Sequence, residues 1–551
     1  MINSSTETTL LALPTGPWSP RARRIAVAIM ALGALLRLAL ALCGRPLWHD
    51  EAMLAANLVQ RDFDGLRQSL DYGQVAPVGY LYAQKALLNA LGNRELTLRW
   101  MSLIPGIVAM PVFLLVLRRL LQPRAAILAL ALFSFSEPLI YYAMEAKPYS
   151  LDVLCGLVFF WAGLRVWQGG AKVLDVAMLA LAGAGGLLFS YVLVFLIVST
   201  GGLIIAHQAA KKQMKPAAMT AAACALSALV FLYLKSQFMQ DSPAVQHHKG
   251  FWRAIDPPGF MPMPPRSIDD LLWYVNRPFD FFVDPMRYRA YGVAMLLCAA
   301  GVAMLWRSSR ILVLLLMAPI PMIALISATE MYPFGTQAEL RHPIVGRVLL
   351  PLVPLVLIAM GRGLQAVWDA GGRFGKFVVP ALLLILWTHP TLMLLSYVRH
   401  RDEPHDVRPA MALLSKHVQP GDAIYVNYSA LMLSHYYMDR YPLKDAIRFT
   451  VSNPETPLEQ TALPDRYWIG VNYPALQRTF SLAKGRRVWV FFVHAPDLPQ
   501  HKADEKFLRW YLPTVARPLP IPETIDPQTG KPAEFWTRGN ASLQLYDMRA
   551  P

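Results

Sequence analysis

Long apolar stretches, separated by short polar segments, follow one another from the N-terminus to about Leu395. Most of them contain close to the ~20 residues that an α-helix needs to cross a lipid bilayer. The pattern predicts about eleven membrane-spanning helices, which we place at Ala26–Cys43, Trp100–Leu117, Ala125–Met144, Leu151–Trp167, Val173–Phe189, Val192–Ala206, Ala217–Leu234, Tyr291–Trp306, Ile311–Ala328, Val348–Met360 and Phe377–Leu395. Residues 1–399 are therefore predicted to form an all-α polytopic membrane domain.

The apolar stretch from Val173 to Ala206 is too long for a single span. A continuous helix of that length would extend for about 50 Å at 1.5 Å per residue, whereas the hydrocarbon core of a bilayer is ~30 Å thick. We therefore predict a break at Ser190–Tyr191, which divides the stretch into two spans.

Basic residues gather in alternate loops between these spans. With the N-terminus in the cytoplasm, the inner loops carry sixteen lysines and arginines, at positions 21, 23, 24, 118, 119, 124, 165, 172, 211, 212, 215, 307, 310, 362, 373 and 376. Only Asp175 and Asp369 oppose them in these loops. An excess of cations on the cytoplasmic side is typical of inner-membrane proteins. The charge pattern predicts a cytoplasmic N-terminus, and the C-terminus then lies on the outer side of the membrane because the number of spans is odd.

The overall composition agrees with a membrane protein. Hydrophobic residues make up 55% of the 551 residues and charged residues only 16%, whereas soluble domains contain about 25% charged residues. The net charge of +16 does not indicate nucleic-acid binding, because the basic residues lie in short clusters between apolar spans. We predict membrane lipids and no nucleic acid among the partners.

From about His400 the sequence has the composition of a soluble domain. Strand-like segments (DAIYVNY, RYWIGV, RRVWVFFV and SLQLYDM) alternate with helix-like ones (VRPAMALLSKH and DEKFLRWYL). Such alternation is typical of α/β folds. Residues 400–551 are therefore predicted to form a C-terminal α/β domain on the outer side of the membrane.

Polar residues that could act as acids, bases or ligands are concentrated in three loops. The predicted topology places these loops at the outer face. The candidates are Asp50 and Glu51 after the first span, Glu145, Lys147 and Tyr149 between the third and fourth spans, and Tyr332, Arg341, His342 and Arg347 before the tenth. A carboxylate pair provides a general base or ligands for a hydroxyl or a metal ion. Cations at the same depth suit a phosphate, such as that of a lipid whose tail remains in the membrane.

Structural explanations for the same residues remain open. Asp50 and Glu51 could cap a surface helix, and Glu145 with Lys147 could lie in a solvated turn. Arg341 and Arg347 could extend from a helix end to the interface as anchors. Glu137, inside the third predicted span, should face the bundle interior because a charge facing lipid is costly.

A transporter or lipid flippase is the alternative functional class. Such proteins typically contain internal repeats and polar residues at the membrane midplane, in interrupted helices. No repeat is visible here, and the polar candidates lie at one face. The pattern therefore favours chemistry at the outer surface.

The three loops resemble the GT-C superfamily of integral-membrane glycosyltransferases. The similarity is greatest to the bacterial branch related to protein O-mannosyltransferases and to the lipid A aminoarabinose transferase. The Asp-Glu pair stands in LWHDEA, the segment EAKPY has lysine where relatives have arginine, and YPFG is followed by Arg341-His342. The matching segments follow one another in the family's order over most of the chain.

This resemblance implies a polyprenyl-phosphate-linked sugar as donor and a hydroxyl acceptor on a lipid, glycan or protein. It implies that Asp50 is the base, and that Glu51 and Glu145 orient the acceptor or bind a divalent cation. The donor phosphate would be held by Lys147, Arg341, His342 and Arg347, with Tyr149 and Tyr332 in the same substrate site.

The predicted topology is open to a direct test. A reporter that is active only outside the cytoplasm should be active when fused after Pro551 and silent when fused at Gln213, within the basic segment KKQMK. A second reporter that is active only in the cytoplasm should give the opposite pattern at both sites. Reversal of both patterns would contradict an active site at the outer face.

Overall fold

The computed structural model describes residues 16–238, 249–250, 252–253, 258–336, 345–399, 406–427, 430–443, 446–449, 480, 483–493, 499–521, 524, 533, 535–538 and 541–549. The chain forms two compact units. The first comprises Met1–Cys43, Val75–Leu87 and Leu96–Arg399, and the second comprises Gly44–Gln74, Leu88–Glu95 and His400–Pro551. The C-terminal segment thus shares its unit with two short segments from the N-terminal part of the sequence.

Helices make up most of the described chain. In chain order they are α1 (Pro20–Leu42), α2 (His49–Gln60), α3 (Val78–Leu91), α4 (Glu95–Leu120), α5 (Pro123–Ser134), α6 (Glu137–Tyr141), α7 (Tyr149–Gly169), α8 (Val173–Leu187), α9 (Leu193–Ala210), α10 (Met214–Phe238), α11 (Ile268–Val283), α12 (Tyr291–Ser308), α13 (Arg310–Ser327), α14 (Val353–Ala370), α15 (Gly372–Arg399), α16 (Arg408–His417), α17 (Leu431–Tyr437) and α18 (Pro499–Tyr511). Short 3-10 turns lie at Gly65–Arg67, Gly346–Leu352, Met438–Arg440 and Leu512–Thr514, and α9 contains a π turn at Ile197–Gly201.

The predicted membrane spans correspond to helices one by one. In the described residues nine helices are long and apolar enough to cross a bilayer, and α5 and α8 are shorter apolar helices. The predicted break in the long apolar stretch is confirmed, since α8 ends at Leu187 and α9 begins at Leu193. The chain is a multi-pass, mostly helical membrane protein.

The third span is shorter than predicted. Its helix ends at Ser134, and a separate short helix begins at Glu137. Pro138 explains the interruption, because proline lacks the backbone N–H that a continuous helix would donate to the carbonyl oxygen of Ser134, four residues earlier. Glu137 therefore starts α6 and does not lie within a membrane-spanning helix, although it is fully buried as predicted.

Three glycines bring α14 close to its neighbours in the first unit. A Cβ atom at Gly363 would lie 2.0 Å from the Leu297 carbonyl oxygen, and one at Gly301 would lie 1.8 Å from the Ala359 carbonyl oxygen. On another face, a Cβ at Gly361 would lie 2.6 Å from the Cβ of Ala129. Small residues are the usual means of close helix packing in membranes. They fix α14 against α12 and α5.

A buried ion pair connects three further segments of this unit. The Arg287 Nε atom lies 3.3 Å from the Glu137 Oε2 atom, and the two side chains are at most 1% exposed. The Tyr397 hydroxyl, on α15, donates a hydrogen bond to the other carboxylate oxygen of Glu137. Buried charges require such partners, because loss of one member of a buried pair typically costs about 3–5 kcal/mol.

A second buried carboxylate holds the turn that leads into α14. Asp284 is fully buried, and its Oδ2 atom accepts a hydrogen bond of 2.8 Å from the Gly346 backbone N–H. Any side chain at position 346 would be blocked, because a Cβ there would lie 2.4 Å from the Asp284 Oδ1 atom. Burial raises the pKa of Asp284 to about 7, although the Gly346 N–H and the charges of Arg287 and Arg347 act in the opposite direction.

In its described residues, the second unit contains a mixed six-stranded sheet. Its strands are β1 (Ala423–Val426), β2 (Ile447–Phe449), β3 (Arg487–Val493), β4 (Arg517–Leu519), β5 (Phe535–Arg538) and β6 (Ala541–Asp547), in the order β2-β1-β3-β6-β4, with β5 also paired to β6. The β1 strand is parallel to β2 and β3, while β6 is antiparallel to β3, β4 and β5. Helices α16 and α18 occupy the predicted helical segments.

The predicted α/β character of this segment is confirmed. Strands β1, β3 and β6 coincide with DAIYVNY, RRVWVFFV and SLQLYDM. The remaining predicted strand, RYWIGV, lies outside the described residues. A partly buried ion pair joins the starts of β1 and β3, since the Nη2 atom of Arg487, the first residue of β3, lies 2.7 Å from the Oδ2 atom of Asp422, the residue before β1. The Trp489 indole N–H donates to the same oxygen.

The raised pKa of Asp284 predicts a pH-dependent stability. Because the folded state favours the protonated acid, its stabilising contribution is present at low pH and is lost as the pH rises towards about 7. The Asp284→Asn side chain cannot ionise, yet its carbonyl oxygen can still accept the Gly346 N–H. Relative to wild type, the variant should gain about 2–3 kcal/mol in unfolding free energy between pH 5 and pH 8.

Thermal unfolding in detergent at several pH values measures this difference. Asp269→Asn, at an exposed position of α11, is the matched control and should follow wild type throughout. A difference between Asp284→Asn and wild type that is the same at pH 5 and pH 8 would contradict the proposed titration.

Candidate functional site

The turn between α6 and α7 presents two of the predicted site residues. The Ser102 hydroxyl donates a 2.7 Å hydrogen bond to the Lys147 carbonyl oxygen, and the Ser150 hydroxyl donates a 3.1 Å bond to the Tyr142 carbonyl oxygen. Within the turn, the Lys147 N–H donates to the Glu145 carbonyl oxygen at 2.7 Å. Pro148 ends the turn, and α7 begins at the next residue.

Burial distinguishes this turn from the solvated turn considered above. The Glu145 residue is 0% exposed and Lys147 is 5% exposed. Burying a carboxylate and an ammonium group costs free energy unless each interacts with polar or charged neighbours. Their burial therefore favours a functional interpretation over a loop that only connects two helices.

Arg347 lies against the start of α7. Its guanidinium carbon is 5.5 Å from the centre of the Tyr149 ring, within the range of a cation–π contact. Tyr149 in turn packs edge to face with Tyr142, at a ring distance of 5.2 Å. Burial and the negative charge of Glu145 raise the pKa of Tyr142, and the positive charge of Arg347 opposes that rise. The acid, the arginine and the two tyrosines thus form one cluster.

Tyr332 belongs to the same cluster. Its hydroxyl donates a 2.8 Å hydrogen bond to the Val348 carbonyl oxygen, in the 3-10 turn that carries Arg347. Burial and the charges of Asp152 and Tyr149 hold the pKa of Tyr332 well above its usual value, while Arg347 acts against them. The tyrosine therefore stays protonated at neutral pH and can keep donating to the turn.

Two structural features hold Arg347 in place. On one side the Gly346 N–H is bound by Asp284, and on the other the Val348 carbonyl is bound by Tyr332. Both contacts act on the backbone within one residue of Arg347. These contacts fix the backbone on both sides of Arg347, and the role of its side chain in a substrate site remains a prediction. Arg341 and His342 lie outside the described residues.

The predicted carboxylate pair lies in the second unit, in the first turn of α2. Glu51 is buried, and its Oε2 atom lies 3.2 Å from both the Trp48 backbone N and the Arg45 Nη2 atom. An acidic side chain three residues into a helix commonly binds the free N–H groups at its start. Glu51 therefore caps the start of α2, which is the structural explanation considered above for this residue.

Asp50 has a different environment from its neighbour. Its Oδ1 atom accepts a 3.2 Å hydrogen bond from the Gln74 side-chain amide, and the residue is only partly buried. Asp50 is thus less buried than Glu51, and its catalytic role remains a prediction.

The sequence contains a further buried cation that the motif argument missed. Arg37, in α1, is 0% exposed, and its Nη1 atom donates to the carbonyl oxygens of Gly33 at 3.0 Å and Ser134 at 2.9 Å. Ser134 is the last residue of α5, so the arginine compensates the negative end of that helix. A lone arginine within an apolar span is itself a signal, because such residues usually have functional or structural partners inside the bundle.

Arg37 also borders a small cavity beside the cluster. The cavity has room for about one water molecule and is also lined by Tyr142, Tyr149 and Ser150. Among the described residues, the Nε and Nη2 atoms of Arg37 have no hydrogen-bond partner. Arg37 therefore brings a buried cation to the same cavity as two of the tyrosines of the cluster.

The described residues contain no group of three or more His, Cys, Asp or Glu side chains placed to hold a metal ion. A divalent cation bound by Glu51 and Glu145 remains a prediction. No step of the chemistry proposed below depends on it.

A family model matches part of the chain. Residues 75–241 match the family described as dolichyl-phosphate-mannose-protein mannosyltransferase. This segment contains EAKPY, one of the motifs that carry the resemblance stated above. A comparison with curated protein sequences finds no match.

Solved structures match nearly the whole chain at low sequence identity. The apo structure of ArnT from Cupriavidus metallidurans has a TM-score of 0.55 at 12% identity, over 94% of this chain and 97% of that chain. The same enzyme bound to undecaprenyl phosphate has a TM-score of 0.57, with the same identity and coverage. The archaeal oligosaccharyltransferase AglB from Archaeoglobus fulgidus, in complex with an inhibitory peptide and a dolichol-phosphate, has a TM-score of 0.50 at 11% identity, over 86% of this chain and 70% of that chain.

These matches confirm the resemblance that the motifs predicted. Similarity at this level of identity concerns the fold, and it extends over both the membrane helices and the C-terminal segment. The chain is therefore a multi-pass membrane protein that shares the fold of the ArnT structures.

Proposed function

We propose that this protein is a glycosyltransferase that moves a sugar from a polyprenyl-phosphate donor to a hydroxyl acceptor. The observation that carries the proposal is the cluster formed by the buried Glu145 with the partly buried Tyr149, Tyr332 and Arg347, next to the buried Lys147, on this fold. Two structures of the same fold were solved with a polyprenyl-type phosphate, undecaprenyl phosphate in one and dolichol-phosphate in the other.

The donor phosphate is the natural ligand for the cations of this cluster. Lys147 provides a point charge and Arg347 a planar fork of donors, and both suit phosphate oxygens. Lys147 is buried and the Arg347 guanidinium lies over the Tyr149 ring, so both cations are in place before charge develops on the leaving phosphate. Arg341 and His342 complete the proposed phosphate site.

The transfer step follows from these roles. Asp50 removes the proton from the acceptor hydroxyl, whose oxygen attacks the anomeric carbon of the sugar. The bond between that carbon and the phosphate oxygen breaks, and the polyprenyl phosphate leaves with both bonding electrons. Attack from the face opposite the phosphate inverts the anomeric centre. Glu51 and Glu145 orient the acceptor or hold a divalent cation in this scheme.

We also propose where the reaction takes place. The excess of cations in alternate loops supports an inner membrane of bacterial type, with the N-terminus in the cytoplasm and residues 400–551 in the periplasm. In this arrangement the three motif loops face the periplasm. The donor then presents its sugar at the outer leaflet, and the acceptor is a lipid, a glycan or a protein of the cell envelope.

Replacement of Asp50 tests the catalytic proposal. Asp50→Asn preserves the size of the side chain and its bond from Gln74 but cannot take up a proton. Loss of a general base typically lowers the rate about 10²–10⁴-fold, so the variant should fail to restore the surface glycan in cells that lack the protein. Mass spectrometry of surface glycans and lipid-linked sugars measures both the missing product and the accumulated donor.

The exposed residue Asp64, in the same unit, provides the matched control, and Asp64→Asn should restore the glycan fully. Full restoration by Asp50→Asn would show that this residue is not the base.

A flippase without transfer chemistry would give a different result, since the purified wild-type protein would then form no glycosylated product from its donor.

Replacement of Arg347 tests the phosphate site separately. The probe is undecaprenyl phosphate, titrated into purified protein in detergent. Loss of one charge-assisted contact is worth about 1.5–3 kcal/mol, so Arg347→Gln should bind the probe roughly 10- to 150-fold more weakly. Arg347→Lys should retain part of the affinity because it keeps the charge.

Arg373, an exposed cation beyond the C-terminal end of α14, offers a control. Arg373→Gln should bind the probe as tightly as wild type. If Arg347→Gln also binds the probe with wild-type affinity, the arginine does not contact the phosphate.

A further inference from the structure

The loop that leads into α2 is held by side chains from the C-terminal segment. The Leu47 backbone N–H donates a 3.0 Å hydrogen bond to the Tyr437 hydroxyl oxygen. Three residues earlier, the Gly44 carbonyl oxygen accepts a 2.9 Å bond from the Arg408 Nη1 atom. Asp50 follows in the first turn of α2, so both contacts act immediately before the proposed base.

Glu95 contacts both Tyr437 and Arg408, so the two contacts belong to one hydrogen-bonded network. The Tyr437 hydroxyl donates to its Oε1 atom at 2.6 Å, and the Arg408 Nη1 atom lies 3.4 Å from its Oε2 atom. Asp406 fixes the guanidinium of Arg408 from the other side, at 2.8 Å and 2.9 Å. Four charged or polar side chains thus determine where the loop backbone runs.

The Tyr437 hydroxyl acts as both a donor and an acceptor at this position. A phenolic hydroxyl donates one hydrogen bond and can accept others, and here it donates to Glu95 while it accepts from Leu47. Tyr437 is 1% exposed. Burial and the negative charge of Glu95 hold its pKa well above the usual value, so the hydroxyl retains the proton that this arrangement needs.

Apolar packing places α2 and α17 side by side. Met432, on α17, lies in a small buried cluster with Ala56 of α2 and with Tyr72, and Met53 packs against the same cluster. Because a helix is rigid along its length, this contact fixes the direction of α2. The hydrogen bonds from Tyr437 and Arg408 fix where the helix begins. Together they determine the position of its first turn.

We propose that the C-terminal segment serves to position Asp50, and that Tyr437 is the positioning residue through which it does so. The inference rests on the proposed function, because it gives meaning to the placement of the proposed base. Tyr437 touches the loop before Asp50 and does not act on substrate. The C-terminal segment is then a functional part of the transferase and not only an added acceptor-binding module.

A double-mutant cycle distinguishes positioning from general stability. Small displacements of a catalytic group can cost about 10²-fold in rate, so Tyr437→Phe should lower the turnover of the purified protein by roughly 10- to 100-fold. The titrated affinity for undecaprenyl phosphate should stay unchanged. In an Asp50→Asn background, Tyr437→Phe should cause little further loss, because residues that act through one another are not additive.

Tyr436→Phe is the matched control. Tyr436 is adjacent and similarly buried, and its hydroxyl accepts a hydrogen bond from Arg440. This variant should keep wild-type turnover.

Hydrogen exchange provides a readout that does not depend on activity. The amide of Leu47 is bound by the Tyr437 hydroxyl, so a peptide spanning residues 44–52 should exchange faster in Tyr437→Phe than in Tyr436→Phe or wild type. Unchanged exchange of this peptide would overturn the inference.

The two proposals can fail separately. An equal loss of rate on adding Tyr437→Phe to wild type and to Asp50→Asn would show a merely structural tyrosine, and would leave the role of Asp50 intact. Near-normal turnover of Asp50→Asn itself would reject the proposed base, and with it any positioning role for Tyr437.

Discussion

The first unit depends on the neutralisation of charges that its apolar helices cannot solvate. Glu137 and Arg287 are buried together, and the Tyr397 hydroxyl completes the bonding of the carboxylate. Each charge alone would be very costly in such surroundings, so the pair forces α6, α15 and the segment before α12 to meet. Packing by apolar side chains alone would not specify this meeting so narrowly.

The same requirement extends to the candidate site. Asp284 lies near both members of that pair and binds the backbone of Gly346. Glycine is required there because a Cβ would meet the carboxylate. Arg347 follows directly, and its guanidinium lies over the ring of Tyr149. The position of the proposed phosphate-binding arginine is therefore a consequence of how buried charges are compensated behind it.

In the second unit, polar contacts hold the short helix α2, which carries the proposed base. Glu51 serves the start of α2 through the Trp48 N–H and Arg45. Tyr437 and Arg408 hold the preceding loop from the C-terminal segment. In the scheme proposed here, chemistry at Asp50 depends on residues that follow it by more than three hundred positions in the sequence.

The sequence by itself determined the features that arise from local patterns. Length and hydrophobicity predicted the spans, because a bilayer demands about 20 apolar residues per helix, and the break between α8 and α9 followed from the same limit. Alternation of strand-like and helix-like segments predicted the sheet around β1, β3 and β6. The motifs identified the loops that carry Glu145, Lys147 and Arg347.

Only the tertiary structure decided what those residues do to one another. It showed that Glu145 and Lys147 are buried, that Glu51 serves a helix start, and that Arg37 reaches the same cavity as Tyr149. It also placed residues 44–74 and 88–95 in one unit with the C-terminal segment. Spacing along a chain records periodicity and length, whereas these contacts join residues far apart in sequence, whose meeting depends on how the helices pack and how their buried charges are paired.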